Sequence, residues 1–193
     1  MSLKLLLGRQ VPDCAIIGGG PVGLIFAILS HTSIGNVQIF ESKEHDSTNQ
    51  DNRALALSNG SRLILEEIEV WDRLEKKITK IKKIHTSQAG SFGRTMLDAE
   101  EFNEESLGYI ISYGDLMGAL QEQVKCIRNV EILYETKVTK CIDEKPSLNL
   151  TLQTNNKIKK FKSEFVVLAD GATEEIEGLE LNKKIKHFNH AAI

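Results

Sequence analysis

Apolar residues along the chain fall into two rhythms, a continuous or two-residue one that reads as strand and a three-to-four-residue one that reads as helix. The first run, Cys14-Ala15-Ile16-Ile17, stops at Gly18-Gly19-Gly20 and gives way to an apolar helix pattern from Pro21 to Ala27. Asn36-Val37-Gln38-Ile39-Phe40-Glu41 then reads as a second strand, so residues 13–41 predict a strand–helix–strand unit. Ser42 to Arg53 is polar and acidic and reads as a loop. After the cap chemistry of Ser58-Asn59-Gly60-Ser61, the residues Leu63, Ile64, Ile68, Trp71 and Leu74 recur at helical spacing. They predict one helix to about Lys76, with Trp71 in the core.

From Ile78 the period shortens. Ile78, Lys80, Lys82 and Ile84 alternate, and Phe92, Thr95 and Leu97 flank a Gly90-Ser91-Phe92-Gly93 turn, so an insertion with strands of a different sheet is expected. Leu107 to Tyr113 returns as a strand, and Asp115 is expected to cap a helix whose Leu116, Leu120, Val124 and Ile127 form its apolar face. Val130 to Lys162 offers three or four strands with an Asn155-Asn156 turn and reads as a meander. Ser163 to Ala169 is a continuous apolar strand, expected to be buried on both faces and to end at Asp170-Gly171.

Composition narrows the class without naming it. With 193 residues, 41% hydrophobic and 26% charged, the chain is expected to fold as one or two globular domains. A net charge of −3 leaves no electrostatic footprint for nucleic acid, and the lysines between Lys157 and Lys162 read as a solvated strand face. Cys14, Cys126 and Cys141 lie far apart without ligand spacing, so neither a metal site nor a disulfide framework is indicated, and a reducing cytoplasm fits. The leucines of Met1 to Gln10 are too few for a signal sequence, and no run reaches the roughly 18 apolar residues of a membrane span.

The chemistry concentrates in the first turn. Gly18 lets the chain bend sharply out of the strand, Gly20 leaves no side chain between backbone and a pyrophosphate, and Gly23 lets helix and strand pack closely. Pro21 sits where a missing N–H costs nothing, and with Val22 it completes the helix N-terminus that would meet phosphate. Glu41 ends the second strand where an acid would hold a ribose hydroxyl. A dinucleotide follows from these residues; a choice between nicotinamide and flavin does not.

That choice comes from a wider resemblance. The segments Ala15-Ile16-Ile17-Gly18-Gly19-Gly20-Pro21-Val22-Gly23-Leu24, Asp51-x-Arg53-x-x-Ala56-Leu57-Ser58, Ile84-His85-x-Ser87-x-x-Gly90-x-Phe92-Gly93, Leu107-Gly108-Tyr109 and Ala169-Asp170-Gly171-Ala172 occur in one order along nearly the whole chain. In this it resembles the flavin-dependent aromatic hydroxylases, and within them the ubiquinone-biosynthesis hydroxylase family. The resemblance implies an α/β fold: a Rossmann-like FAD-binding domain with a β-meander crossover, at 1–77 and 107–180, plus part of a mixed-sheet substrate domain, at 78–106 and 183–193. It implies FAD as cofactor and NAD(P)H as co-substrate. Gly18, Gly20, Pro21, Val22 and Gly23 would face the pyrophosphate and Glu41 the ribose. Arg53 would lie near the cofactor, and Asp170 would serve flavin and reduced nicotinamide.

The implied reaction is oxygen-dependent hydroxylation of a polyprenylated aromatic ring, carried out peripheral to the inner membrane and possible within a multi-enzyme complex. The cofactor carries the hard chemistry, so no catalytic acid, base or nucleophile is nominated, and His85 reads as a strand residue. Two departures stand out. Glu174 and Glu177 occupy places where many relatives hold a serine and an arginine, which would weaken nicotinamide use. Relatives are also longer and carry a third motif, Gly-Asp with a following His-Pro, so the chain reads as an N-terminal fragment. Two alternatives stay open: a non-catalytic accessory subunit, and an NAD-dependent dehydrogenase, which predicts alternating strands and helices after Glu41.

Overall fold

The structure, a computed structural model, describes residues 13–45, 47, 51–87, 90, 93–155, 157–171, 176–179 and 186. The leucines of residues 1–10, Ser91, Phe92, Asn156, Ala172, Glu174 and all of 183–193 except Lys186 lie outside the described residues.

The strand–helix–strand unit forms as expected. β1 (Cys14–Ile17) leads through the glycine turn into α1 (Pro21–Ser30) and returns as β2 (Val37–Phe40), parallel to β1 with Cys14 opposite Val37. All four residues of β1 are buried because both of its faces are covered. Alternation decides which side each residue serves. Cys14 and Ile16 join the core with Leu24 and Ala27 of α1, while Ala15 and Ile17 join a second core with Cys141, Leu150 and Leu152.

Beyond β2 come β3 (Ala54–Leu57) and α2 (Asn59–Glu67), the latter capped by Ser58, whose hydroxyl accepts the Ser61 N–H at 3.1 Å. The single helix predicted to Lys76 is broken. Glu69 takes φ 59°, and the chain restarts as the short α3 (Trp71–Leu74) and one tight turn over 75–77. The break turns Ile68, Trp71 and Leu74 into the core but leaves Leu63 and Ile64 on the exposed side. Trp71 is buried, as its pattern implies, with its ring edge-on to Tyr109 at 4.9 Å.

The changed period after Ile78 does mark other sheets. β4 (Thr79–Ile81) and a hairpin of β5 (Lys83–Ser87) with β6 (Arg94–Asp98) precede β7 (Gly108–Ser112). β4 nevertheless pairs with β7, which also pairs with β3, so only β5 and β6 form the separate piece. Helix α4 (Tyr113–Lys125) buries Leu116, Leu120 and Val124 as expected. Its cap is Ser112 rather than Asp115: the Ser112 hydroxyl accepts the Asp115 N–H at 3.1 Å and donates to the Asp115 carboxylate at 2.5 Å.

Four strands follow, and only three belong to the meander. β8 (Val130–Leu133) runs parallel to β2, whereas β9 (Lys137–Glu144), β10 (Ser147–Thr154) and β11 (Lys157–Ser163) form an antiparallel sheet. The lysines of β11 are exposed, as a solvated strand face requires. β12 (Phe165–Leu168) completes the parallel sheet in the order β12-β1-β2-β8. It is half-buried because it lies at the end of that order. Helices α1 and α4 cover one face of this sheet and the meander covers the other, with Phe40 of β2 edge-on to Phe161 of β11 at 5.2 Å.

Candidate cofactor site

The parallel strands all end on the same side, and a cavity of about 700 Å³ opens over their carboxyl ends. Such crevices, where connections leave a parallel sheet in different directions, are where α/β folds place ligands. Its floor is the glycine turn. Gly18 has φ 106°, and a Cβ there would sit 2.4 Å from the Ala169 carbonyl oxygen of the neighbouring segment, so only glycine fits. A Cβ on Gly23 would lie 2.1 Å from the Gly18 carbonyl oxygen, the close helix–strand approach expected from the sequence. Around Gly20 there is nothing within 4 Å of a Cβ position, so the backbone here is open to a ligand.

α1 begins at this open point. The first N–H groups of a helix have no partner within it, and Pro21 has none to offer, so Val22 and Gly23 present theirs at the positive end of the helix. No acidic residue stands in the first turn to repel an anion. Glu41 reaches this turn from β2. Its Oε2 accepts the Gly19 N–H at 2.7 Å and its Oε1 accepts the Lys43 N–H at 2.9 Å. A carboxylate has about four acceptor sites, so two backbone bonds orient the group and leave capacity for a sugar hydroxyl.

Gly19 was not singled out by sequence reasoning, although a Cβ on it would press on the Glu41 Cβ at 3.0 Å. Asp170 and Gly171 line the cavity on the β12 side of the turn. On the other side, beyond Glu41, lie Tyr134, Thr136 and Lys137 after β8. The cavity therefore has a defined long axis, with Asp170 at one end, the glycine turn in the middle and the β8 loop at the other.

Arg53 is placed differently from Gly18 and Glu41. Its side chain is 72% exposed, and its Nε and Nη2 hold the Asp51 carboxylate at 2.9 and 2.7 Å. Its guanidinium stacks over the Tyr113 ring, 4.9 Å from the centroid, and it is Tyr113 rather than Arg53 that lines the cavity. Burial pushes the Tyr113 phenol up from its ordinary value of 10.0. Glu177 is turned away from the cavity: its carboxylate pairs with Lys140 at 2.5 Å, and its carbonyl accepts the Cys141 N–H. The motif readings also missed Met117 and Gln121, which line the wall on the turns of α4 after Tyr113. The signal that could have found them is the four-residue spacing of 113, 117 and 121.

Taken together, a glycine turn over a helix N-terminus, a carboxylate at the end of the neighbouring strand and an antiparallel crossover define an α/β fold of the flavoprotein type. The match to the FAD binding domain model runs over residues 12–177, and the chain belongs to that family. Among curated relatives, an uncharacterized protein of Synechocystis sp. is 26% identical over 168 residues, covering 86% of this chain and 40% of its own. The ubiquinone hydroxylase UbiM of Neisseria meningitidis is 28% identical over 134 residues, covering 65% of this chain and 29% of its own. The chain thus spans less than half the length of either.

Among solved structures, p-nitrophenol 4-monooxygenase from Pseudomonas putida superposes with TM-score 0.72 at 18% identity, covering 85% of this chain and 42% of that one. The flavin-dependent monooxygenase PieE, solved with FAD and substrate, gives 0.69 at 18% identity, covering 86% and 31%. The fold is that of flavin-dependent monooxygenases. The NAD-dependent dehydrogenase alternative needed strands and helices alternating after Glu41, and the described residues there hold three antiparallel sheets besides β8 and β12 of the parallel one. The residues present fit FAD: an open backbone at Gly20, unobstructed donors on α1 and a carboxylate with acceptor capacity left at Glu41.

Proposed function

We propose that this chain is the flavin-holding part of an FAD-dependent monooxygenase that uses NAD(P)H to hydroxylate a polyprenylated aromatic ring in ubiquinone biosynthesis. The observation that carries the reading is the Glu41 carboxylate 2.7 Å from the Gly19 N–H, beside a turn left open at Gly20. Gly18, Gly20, Pro21, Val22 and Gly23 shape the pyrophosphate seat, and the N–H groups of Val22 and Gly23 donate to it. Glu41 accepts from the ribose, and Asp170 stands toward the flavin end. Arg53 acts through Tyr113, adding positive charge behind a phenol that donates into the site. FAD, when bound, supplies the redox chemistry, and the protein supplies orientation and exclusion of water.

Residues 1–77 and 107–180 are assigned to the FAD-binding domain, and 78–106 with 183–193 to part of the substrate domain. The similarity to a ubiquinone hydroxylase supports the substrate class. Among the described residues no helix is long and apolar enough to cross a membrane. In this reading a polyprenylated substrate is met by peripheral association with the inner membrane from the cytoplasmic side. The test is the visible spectrum of the purified protein together with the chromophore released by heat. A flavin spectrum, or its appearance on adding FAD, is the expected result. A colourless protein that takes up no FAD overturns the assignment.

A further inference from the structure

Positive charge is gathered in the meander. Residues 137–163 hold seven lysines against Asp143 and Glu144, a balance of +5 in a chain whose net charge is −3. The strand register shows which residues share the outer face of this sheet. Leu150 pairs with Phe161 on one side and Cys141 on the other, and all three pack inward. Alternation puts the neighbouring rows outward. Thr151 lies there between Lys160 and Lys140, Asn149 between Lys162 and Ile142, and Gln153 between Ile158 and Lys137. The acids at this face are engaged: Glu177 pairs with Lys140, and Glu144 accepts from the Asn149 amide. Lys160 and Lys162 are exposed, and Ile158 between Lys157 and Lys159 is 74% exposed, more than any other large hydrophobic side chain among the described residues.

Lysines on an edge strand keep it from pairing with another chain, and β11 is such an edge. That role asks for polar side chains at the outward positions and leaves Ile158 unexplained. Nucleic acid would answer the lysines and still leave the isoleucine in water. An anionic bilayer answers both, because its headgroups attract lysines and its acyl boundary takes up an apolar side chain.

We propose that the outer face of the meander docks on an anionic lipid bilayer, with Lys160 and Lys162 at the headgroup phosphates and Ile158 entering the boundary beneath them. The inference gives a surface to the peripheral association proposed above and rests on that reading for its partner, but on nothing in the cofactor seat.

The test is co-sedimentation of the full chain with vesicles of phosphatidylcholine alone and of phosphatidylcholine mixed with phosphatidylglycerol. Binding is expected to the mixed vesicles only, and to weaken at high salt. Each lysine near an anionic surface contributes roughly fivefold, so Lys160→Gln with Lys162→Gln should weaken binding about twenty-five-fold. Ile158→Ser should weaken it about tenfold. Lys76→Gln with Lys125→Gln removes two exposed lysines outside the meander and should change it little. All these positions are exposed, and circular dichroism checks that the fold is kept. Equal binding to both vesicle types, no binding to either, an equal loss from the Lys76 and Lys125 pair, or capture by a duplex oligonucleotide in preference to vesicles overturns the proposal. FAD titration of the same samples separates the two readings: uptake of FAD without vesicle binding overturns the docking face alone, and vesicle binding without FAD uptake overturns the enzyme assignment alone.

Discussion

Glu41 joins two loops through one carboxylate, accepting from Gly19 and Lys43, and it is the side chain at the turn with acceptor capacity left for a sugar. Glu41→Gln keeps a single acceptor oxygen, so the bond to Gly19 can persist while the charged acceptor proposed for the ribose is lost. A hydrogen bond to a charged group contributes about 1.5 kcal/mol or more, so FAD affinity should fall at least about tenfold with a melting temperature close to wild type. Unchanged FAD affinity would contradict the role given to Glu41. The same scale shows what sequence reading could reach. The positive φ of Gly18 and the approach of Gly23 to Gly18 are local to the turn and were legible, whereas the Ala169 carbonyl that also bars a side chain at Gly18 comes from a distant strand end. The reason for Gly19 is a side chain 22 residues away, and nothing near Gly19 announces it. Arg53 was legible as a motif residue, but its placement over Tyr113 depends on Asp51, which fixes its guanidinium outside the cavity.

At the scale of elements, α4 supplies one wall of the site, and its start is fixed by Ser112. Removing that cap with Ser112→Ala should cost about 1 kcal/mol, read as a lower urea midpoint with an unchanged slope. No shift in the midpoint would mean that Asp115 alone suffices, as its position in the sequence first suggests. Elements with long apolar periods, β1, α1, β2 and α4, were all legible. Two were misread for physical reasons. The helix predicted to Lys76 is cut by a left-handed residue at Glu69, which carries no glycine to mark it. A short apolar run such as β8 cannot state which sheet it joins, since parallel and antiparallel neighbours ask the same of four residues.

The whole molecule is held by buried faces within and by paired charges outside. Asp115 lies below its ordinary value of 3.8, first through the hydrogen bond from Lys77 and then through Ser112. Lys83 lowers Asp98 and Lys80 lowers Glu105 in the same way. A carboxyl lowered by folding binds fewer protons folded than unfolded, so its stabilisation is complete above the ordinary value and disappears as pH falls through the folded one. Stability should therefore be level near neutrality and drop below about pH 4. Lys77→Met should be slightly less stable than wild type at neutral pH, and the gap should narrow at a pH below the ordinary 3.8 of Asp115, as Asp115 takes up its proton in both. A difference that is the same at both values would assign Lys77 a packing role instead.

The central claim is that the fold and the cofactor seat are separable at one position. Gly20 has extended backbone, φ −72° and ψ 179°, and open space where a Cβ would go, so valine is compatible with the fold but would project into the proposed pyrophosphate seat. Titration of FAD into wild type and Gly20→Val measures this directly. The expected result is one-to-one binding by wild type and none by the variant, with the two melting alike. Equal FAD binding by both would contradict the account.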